Sequence, residues 1–238
     1  MTMNSRLTMD KSNLKLLTLA IIPIFISTVF ALNVPSLNVP ACPAKAHLEY
    51  NKSVPDKNPF PLTTVDLCYG TSTLELVFTA YNETSFYYNR TQGTNDNIYE
   101  YEVMEAFIFR GTEDPQTYLE IEVNPGNVTF QSIIYNPSKT ADPNKPFENL
   151  FFKNPKEDGL ISKTQINRSL HQWKSEFVVP LSIFNLQDGD GKGTEWRMNF
   201  FRTVTDSGLF PGQVLGAWSV PYLPRFHVTS YFGHVKFV

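Results

Sequence analysis

An excess of positive charge is absent from this 238-residue sequence, which holds 20 lysines and arginines against 23 aspartates and glutamates. The resulting formal net charge of −3 provides no basic field. Proteins that bind nucleic acid neutralise its phosphates with clustered lysine and arginine side chains. We therefore predict that nucleic acid is not a partner of this protein.

Catalytic motifs are absent as well. The chain contains neither the Gly-x-Ser-x-Gly turn of serine hydrolases nor the His-Glu-x-x-His helix of zinc proteases. The paired carboxylates of a glycosidase would have to come from Glu102, Glu105 and Glu122, and no motif requires these residues to converge across a cleft. The sequence thus predicts a protein that is not an enzyme, with a glycosidase as an alternative.

Helical periodicity is also missing, because almost no segment repeats its apolar residues every 3.6 positions over three turns. Instead, short segments alternate between apolar and polar residues, as in 73–81, where Leu74, Leu76 and Phe78 have polar neighbours. Such segments, separated by turns rich in glycine, proline and asparagine, predict an all-β chain folded as a single antiparallel β-sandwich or jelly roll. We expect this one domain to span residues 32–238.

The N-terminal residues 1–31 have the pattern of a secretory signal peptide. A basic segment that carries Arg6, Lys11 and Lys15 precedes an apolar run, 16–31, which ends on a small residue. A membrane anchor is the alternative, but about sixteen residues are few for a span of roughly 30 Å. We predict cleavage after Ala31, secretion, and no membrane association of the mature chain.

The cysteines and the glycosylation sequons agree with secretion. Because Cys42 and Cys68 are the only cysteines and the predicted compartment is oxidising, we expect them to form a disulfide; two independent buried thiols are the alternative. Five Asn-x-Ser/Thr sequons predict exposed loops that carry glycans, at Asn51, Asn82, Asn89, Asn127 and Asn167.

An acidic loop at residues 188–193 invites a calcium interpretation. Asp188 and Asp190 have the spacing of the first ligands of a calcium-binding loop, but Lys192 stands where a third oxygen ligand would be needed. We predict a plain strand connection at this loop and no cofactor in the protein.

Four further segments stand out by their order and spacing: DNIYEYEVMEAFIF, YLEIEVNPGN, EWRMNFFR and GAWSVPYLPRFHVTSYFGHVKF. Together they resemble the carbohydrate-binding module family 9 group within the DOMON-like β-sandwiches, over roughly Cys42–Val238. The resemblance implies a β-sandwich that holds a sugar between two aromatic rings at the edge of a sheet. Some members of that family bind a structural calcium ion, so such an ion elsewhere in the chain stays an alternative.

The resemblance implies that the two rings are Tyr99 and Phe226, at positions where characterised members usually have tryptophans. An aromatic ring removes the apolar face of a pyranose from water, while polar side chains pair with its hydroxyls. Glu105 is the favoured hydroxyl acceptor, and Glu122 stands where family members often use an arginine. The other candidates for polar contacts are Glu102, Asn124, Arg225 and His227.

These residues also have structural interpretations. Tyr99 and Phe226 could belong to the core, and His227 could hydrogen-bond the backbone to shape its loop. In the aromatic C-terminal segment we expect Trp218, Phe232 and Phe237 to pack between the sheets. Alternating glutamates usually form a solvated strand face, which is the alternative for Glu100, Glu102, Glu120 and Glu122.

The sequence therefore predicts a secreted, non-catalytic, lectin-like protein whose partner is a polysaccharide or glycan. A structural or adhesion sandwich with a decayed sugar site is one alternative, since both expected tryptophans are replaced. A haem-binding DOMON-like domain is another, because the residue types of axial ligands are present at Met104, Met198, His171, His227 and His234.

Overall fold

The computed structural model describes residues 32–238 as two β-sheets that pack face to face. The predicted signal peptide, residues 1–31, lies outside the described residues. The larger sheet contains eight strands in the order β1-β13-β11-β5-β6-β7-β8, with β12 paired to β11. The smaller sheet contains five strands in the order β2-β3-β4-β10-β9. The predicted all-β sandwich is thus confirmed.

Neighbouring strands are antiparallel throughout, apart from the pairing of β1 with β13, which is parallel. The strands are β1 (Ser36–Val39), β2 (Ala46–Lys52), β3 (Pro59–Tyr69), β4 (Thr73–Ala80), β5 (Val103–Arg110), β6 (Thr117–Val123), β7 (Thr129–Tyr135), β8 (Glu148–Phe151), β9 (Ile161–Asn167), β10 (Gln172–Pro180), β11 (Glu195–Val204), β12 (Val214–Ala217) and β13 (Gly233–Phe237).

Short 3-10 helices occupy four of the connections, at Ile98–Glu100, Arg168–Leu170, Leu181–Phe184 and Thr229–Tyr231. None of the helices within residues 32–238 combines the length and the apolar character that crossing a membrane requires.

The main core lies between the two sheets and follows from the alternation of side chains along each strand. Leu74, Leu76 and Phe78 of β4 all face it, as their spacing predicted. Met104 and Ala106 of β5 contribute from the larger sheet. Every second residue of β4 and β5 is therefore committed to the interior, and the residues between them point to the opposite face.

The outer face of the larger sheet carries a second apolar cluster, which includes Phe107, Tyr118, Phe201, Phe226 and Phe232. The C-terminal segment, residues 219–232, covers this face, whereas Trp218 packs against the main core, as expected. Phe232 was expected between the sheets together with Phe237, and that expectation was wrong: Phe237 faces the main core, whereas Phe232 packs in the outer cluster.

Polar side chains on the outer face fix the C-terminal segment by hydrogen bonds to its backbone. Arg197 Nε donates to the carbonyl oxygen of Phe232 at 2.9 Å, and Asn199 bonds both backbone groups of Ser219. Asn136 Nδ2 donates to the carbonyl oxygen of His227 at 2.9 Å. These bonds satisfy backbone groups that have no strand partner, which is why polar residues stand between apolar ones here.

The predicted disulfide between Cys42 and Cys68 is confirmed, with 5.1 Å between the Cα atoms. It links the connection between β1 and β2 to strand β3. A closed loop of this size stabilises a fold by about 3 kcal/mol through the unfolded chain.

The prolines and asparagines of residues 32–61 predict an extended entry strand and a loop, and the polar residues and prolines of residues 138–162 predict a long surface excursion. Residues 32–61 hold β1, β2 and the start of β3, and residues 138–162 hold the edge strand β8. The acidic loop with Asp188 and Asp190 forms exposed turns, as expected. Among residues 32–238, neither aspartate belongs to a group of three potential metal ligands.

Candidate functional site

A cavity of about 380 Å³ opens on the outer face of the larger sheet. Strands β5 and β6 form its floor, and the 3-10 helix Ile98–Glu100, strand β8 and the C-terminal segment form its walls. Its lining combines aromatic rings, amide and hydroxyl groups, and carboxyl groups. The sequence-predicted residues that line the cavity are Tyr99, Glu105, Glu122, Arg225, Phe226 and His227.

The two rings implied by the family resemblance, Tyr99 and Phe226, line this one cavity but differ in exposure. Tyr99 is 45% exposed, and Gln213 Nε2 fixes its backbone by donating to the Tyr99 carbonyl oxygen at 2.6 Å. Phe226 is only 7% exposed, because it stacks on Phe201 with 4.3 Å between ring centroids. Phe226 is therefore a fixed part of the wall, whereas Tyr99 offers a free ring.

Three further rings line the cavity that the sequence did not indicate. Phe130 and Phe151 meet edge to face at 5.3 Å between centroids, and Phe147 lies 4.4 Å from the His227 ring. Phe147 and Phe151 were missed because residues 138–162 were interpreted as a surface excursion. The available signal was the cluster of apolar residues in FENLFF, which does not alternate and belongs to an edge strand with little buried surface.

An acidic trio, Glu105, Glu120 and Glu122, forms the polar part of the floor. Glu105 of β5 stands directly opposite Glu122 of β6, and Glu120 points to the same side two residues earlier. One carboxylate oxygen of each residue lies within 4.8 Å of the corresponding atoms of the others. The three residues are 3%, 3% and 1% exposed, respectively.

The environment of the acidic trio favours protonated carboxyl groups. Burial raises the pKa of Glu105 and of Glu122 well above the ordinary value, and the neighbouring carboxylates raise both further. Burial also raises the pKa of Glu120, to about 8, although a hydrogen bond with Glu122 opposes this increase. The main cause is that a carboxylate loses its hydration when no cation replaces it.

No lysine or arginine nitrogen among residues 32–238 lies within 4.0 Å of the acidic trio. His227 comes nearest, with Nε2 at 3.6 Å from a Glu120 carboxylate oxygen, but burial lowers the pKa of His227 to about 3. The ring is therefore neutral at neutral pH. One oxygen of Glu122, Oε2, is buried and has no hydrogen-bond partner.

His227 also holds the C-terminal segment in place. Its Nδ1 forms a hydrogen bond of 2.6 Å with the Tyr118 hydroxyl, whose pKa is raised well above its ordinary value by burial. Arg225 has a similar anchoring role, since its Nη1 donates to the carbonyl oxygens of Ala141 and Thr140 at 2.6 and 3.3 Å. Both side chains line the cavity while they fix its wall.

Two of the sequence-predicted residues do not line the cavity. Glu102 is buried at the start of β5, where its carboxylate accepts a hydrogen bond from the Tyr87 backbone N–H at 3.0 Å. The Asn124 side-chain oxygen accepts from the backbone N–H groups of Gly126 and Val128, so it caps the turn between β6 and β7.

The interpretation of the alternating glutamates as a solvated strand face was wrong for three of the four. Glu100 is exposed, but Glu102, Glu120 and Glu122 are buried. The residues that cover the outer face lie far away in the chain, so the alternation itself carries no sign of this burial.

The candidate haem ligands are separated by the fold. Met104 and Met198 face the core between the sheets, whereas His227 lies on the outer face and His171 and His234 are exposed. Of the five sequons, Asn51, Asn82, Asn127 and Asn167 are exposed and Asn89 is half-buried. Their glycosylation stays a prediction.

Comparison with known proteins identifies one relative of high similarity. The chain is 48% identical over 197 residues to an extracellular protein of Arthroderma benhamiae, covering 83% of this chain and 88% of the relative. No family model matches the chain. The chain belongs to the same family as this extracellular protein and is itself extracellular, in agreement with its disulfide.

Solved structures share the fold at low sequence identity. A proposed carbohydrate-binding protein from Bacteroides uniformis matches with a TM-score of 0.63 at 15% identity, covering 87% of this chain and 100% of that one. A family 9 carbohydrate-binding module from Caldicellulosiruptor kristjanssonii matches at 13% identity in its complexes with cellotriose (TM-score 0.52) and glucose (0.55). These matches cover 85% of this chain and 93% and 95% of the module. The β-sandwich is thus a fold that carbohydrate-binding proteins use.

Proposed function

We propose that this protein is an extracellular, non-catalytic carbohydrate-binding protein of the family 9 type. In this proposal the cavity on the outer face of the larger sheet holds the sugar. Tyr99 and Phe226 contribute aromatic surface, and the acidic trio with Arg225 and His227 provides polar contacts.

The observation that carries the proposal is the composition of the cavity wall. Five rings line a cavity of about 380 Å³ next to carboxyl and amide groups, which is the combination that the two-sided chemistry of a sugar requires. The C–H face of a pyranose loses contact with water against a ring, and its hydroxyl groups exchange hydrogen bonds with the polar side chains.

The comparisons support the same proposal. The matched module from Caldicellulosiruptor kristjanssonii is known in complex with cellotriose and with glucose. The family resemblance of the sequence implies a ring at Tyr99 and another at Phe226, and both residues line the cavity. Because Phe226 is covered by Phe201 on one side, Tyr99 is the ring that a ligand can reach most freely.

A binding screen against glycans and polysaccharides tests the proposal with the secreted protein and two variants. Tyr99→Ala removes the free ring, and Tyr135→Ala is its matched control, since Tyr135 is 49% exposed on β7 and does not line the cavity. We expect the wild type and Tyr135→Ala to bind the same ligand, and Tyr99→Ala to bind it about tenfold more weakly. Absence of binding in the whole screen would favour a structural sandwich with a decayed site, and full binding by Tyr99→Ala would contradict the proposed location.

Glycoside hydrolysis is a second candidate that one observation favours. The carboxyl groups of Glu105 and Glu122 lie side by side on the neighbouring strands β5 and β6. Their raised pKa values are typical of a general acid. Release of reducing sugar by the wild type, lost in Glu105→Gln, would establish catalysis. Binding without any release supports the lectin-like proposal.

A further inference from the structure

We propose that the acidic trio recognises a protonated amine, so that the ligand of this cavity is an amino sugar with a free amino group, such as a 2-amino-2-deoxyglucose unit. This inference rests on the proposed function, because it specifies the ligand of the same cavity. Three side chains carry it: Glu105, Glu120 and Glu122.

Without a ligand the trio keeps its protons, and an ammonium group would replace them as the balancing charge. Among residues 32–238 no lysine or arginine approaches these carboxyl groups within 4.0 Å, and the nearby His227 is neutral. Glu122 is 1% exposed and lines the cavity, yet its Oε2 has no hydrogen-bond partner. Buried acceptors in proteins are nearly always paired, so an oxygen without a partner among residues 32–238, on a side chain that lines a cavity, indicates a donor that arrives with the ligand.

The geometry of the trio fits an ammonium group. An ammonium nitrogen carries three N–H donors in addition to its carbon substituent, arranged tetrahedrally. Three acceptors at about 2.8 Å from one nitrogen then lie about 4.6 Å from each other. The trio offers one oxygen per residue within 4.8 Å of the others, on one side of the sheet.

A divalent metal ion suits the cavity less well. Calcium requires six to eight oxygen ligands, and the trio contributes three carboxyl groups. Much of the remaining wall is aromatic, including Phe130, Phe147 and Phe226. Aromatic faces attract an ammonium group and cover the carbon skeleton attached to it, whereas they offer no ligand to calcium. The wall therefore favours an organic cation.

Three trisaccharides that differ only at carbon 2 test the proposal by calorimetric titration. They are cellotriose, with a hydroxyl group, its 2-amino counterpart, and the N-acetylated form of the latter. Titrations are made at about pH 7, where a sugar amine is still largely protonated and the trio gives up a proton more readily than at lower pH, and with a chelator present. We expect the amine to bind at least tenfold more tightly than cellotriose or the N-acetylated sugar.

Variants locate the effect in the trio. Glu122→Gln should weaken binding of the amine at least tenfold and binding of cellotriose less than threefold. Glu105→Gln provides a second variant should Glu122→Gln fold poorly, which thermal unfolding would reveal. Glu100→Gln is the matched control: this glutamate is exposed, adjoins Tyr99, and does not line the cavity, so amine affinity should stay within twofold of the wild type.

Three other outcomes would contradict the amine proposal. Equal or tighter binding of cellotriose or of the N-acetylated sugar would overturn the amine proposal and leave the proposed function standing. Binding that requires added calcium would also overturn it and assign a metal ion to the trio. If no sugar binds here or in the wider screen, the proposed function fails as well.

Discussion

Two groups of buried carboxylates occupy opposite faces of the larger sheet, and they differ in how their charge is balanced. On the inner face, Glu83 accepts a hydrogen bond from Arg202 Nη2 at 2.7 Å and two more from the backbone N–H groups of Ser85 and Phe86. Arg202 in turn donates to Thr63 and to the Tyr81 carbonyl oxygen. On the outer face, no arginine among residues 32–238 forms such a pair with the acidic trio.

The difference separates a structural role from a binding role. A buried carboxylate with a guanidinium partner and backbone donors, such as that of Glu83, has its charge balanced within the protein. A buried trio without a cation among residues 32–238 lowers stability at neutral pH, because burial makes the carboxyl groups keep protons that they release in the unfolded chain. A protein keeps such an arrangement where function needs it, at a cost in stability.

The largest expected change in the free energy of unfolding comes from breaking the buried pair of Glu83 and Arg202. Glu83→Gln leaves the Arg202 charge buried without its counterion, and we expect the free energy of unfolding to fall by about 3–5 kcal/mol. Urea unfolding monitored by tryptophan fluorescence measures this loss. A decrease below about 1 kcal/mol would contradict a structural role for the pair.

A smaller effect of opposite sign, an increase in the free energy of unfolding, is expected when a carboxyl group of the acidic trio is removed. Glu120→Gln removes a carboxyl group whose folded-state pKa is about 8, raised by burial above its value in the unfolded chain. The folded wild type then binds more protons than the unfolded chain between about pH 4.5 and 8, so its stability falls as the pH rises through this window. We expect Glu120→Gln to be more stable than the wild type by about 1–3 kcal/mol at pH 8.

Measurement of unfolding free energies from pH 6.5 to 8.5 isolates the contribution of Glu120 to the pH dependence of stability. The pKa of His227 is lowered to about 3 in the folded state, so its own contribution to stability is lost only as the pH falls below its unfolded value of about 6.5. Glu100→Gln, at the surface, is the control for removal of a carboxylate. A Glu120→Gln variant less stable than the wild type at pH 8 would disagree with the account.

The smallest effect is expected at an exposed pair on the smaller sheet. Lys174 Nζ lies 2.9 Å from a Glu176 carboxylate oxygen, with both side chains 44% exposed. The hydrogen bond from Lys174 lowers the pKa of Glu176, so the contribution of this pair is present at neutral pH and is lost on acidification. Solvent screens the interaction, and Glu176→Gln should change the free energy of unfolding by less than about 1 kcal/mol at pH 7. A loss comparable to that of Glu83→Gln would remove the distinction between exposed and buried pairs.

Much of the fold was predictable because alternation along a strand reports burial directly. The pattern of β4 predicted the inward direction of Leu74, Leu76 and Phe78, and the cysteine count predicted the disulfide. One extended entry strand was predicted where the structure has β1 and β2, because prolines and asparagines hide the separate strands. The position of Phe232 was predicted wrongly. Alternation assigns the residues of a strand to two faces of a sheet, but it does not show which face a distant segment covers.

The candidate site was predictable only in part, because a pattern along one strand does not show which distant residues cover that strand. The family resemblance indicated Tyr99, Glu105 and Phe226, which line one cavity, but neither alternation nor resemblance indicated Glu120. Its interpretation as a solvent-facing residue was wrong, because the outer face of β6 is covered by residues about one hundred positions away. The register of β5 and β6, which opposes Glu105 and Glu122, is a tertiary property that one strand alone does not encode.

The most direct test of this account measures stability and affinity together for Glu122→Gln. If the acidic trio is retained for binding, the variant should unfold at higher urea concentration than the wild type at neutral pH and should bind the amino trisaccharide at least tenfold more weakly. Opposite signs for stability and affinity are the predicted result. A variant that loses both would show that Glu122 supports the fold as Glu83 does, and would contradict the assignment of the trio to ligand recognition.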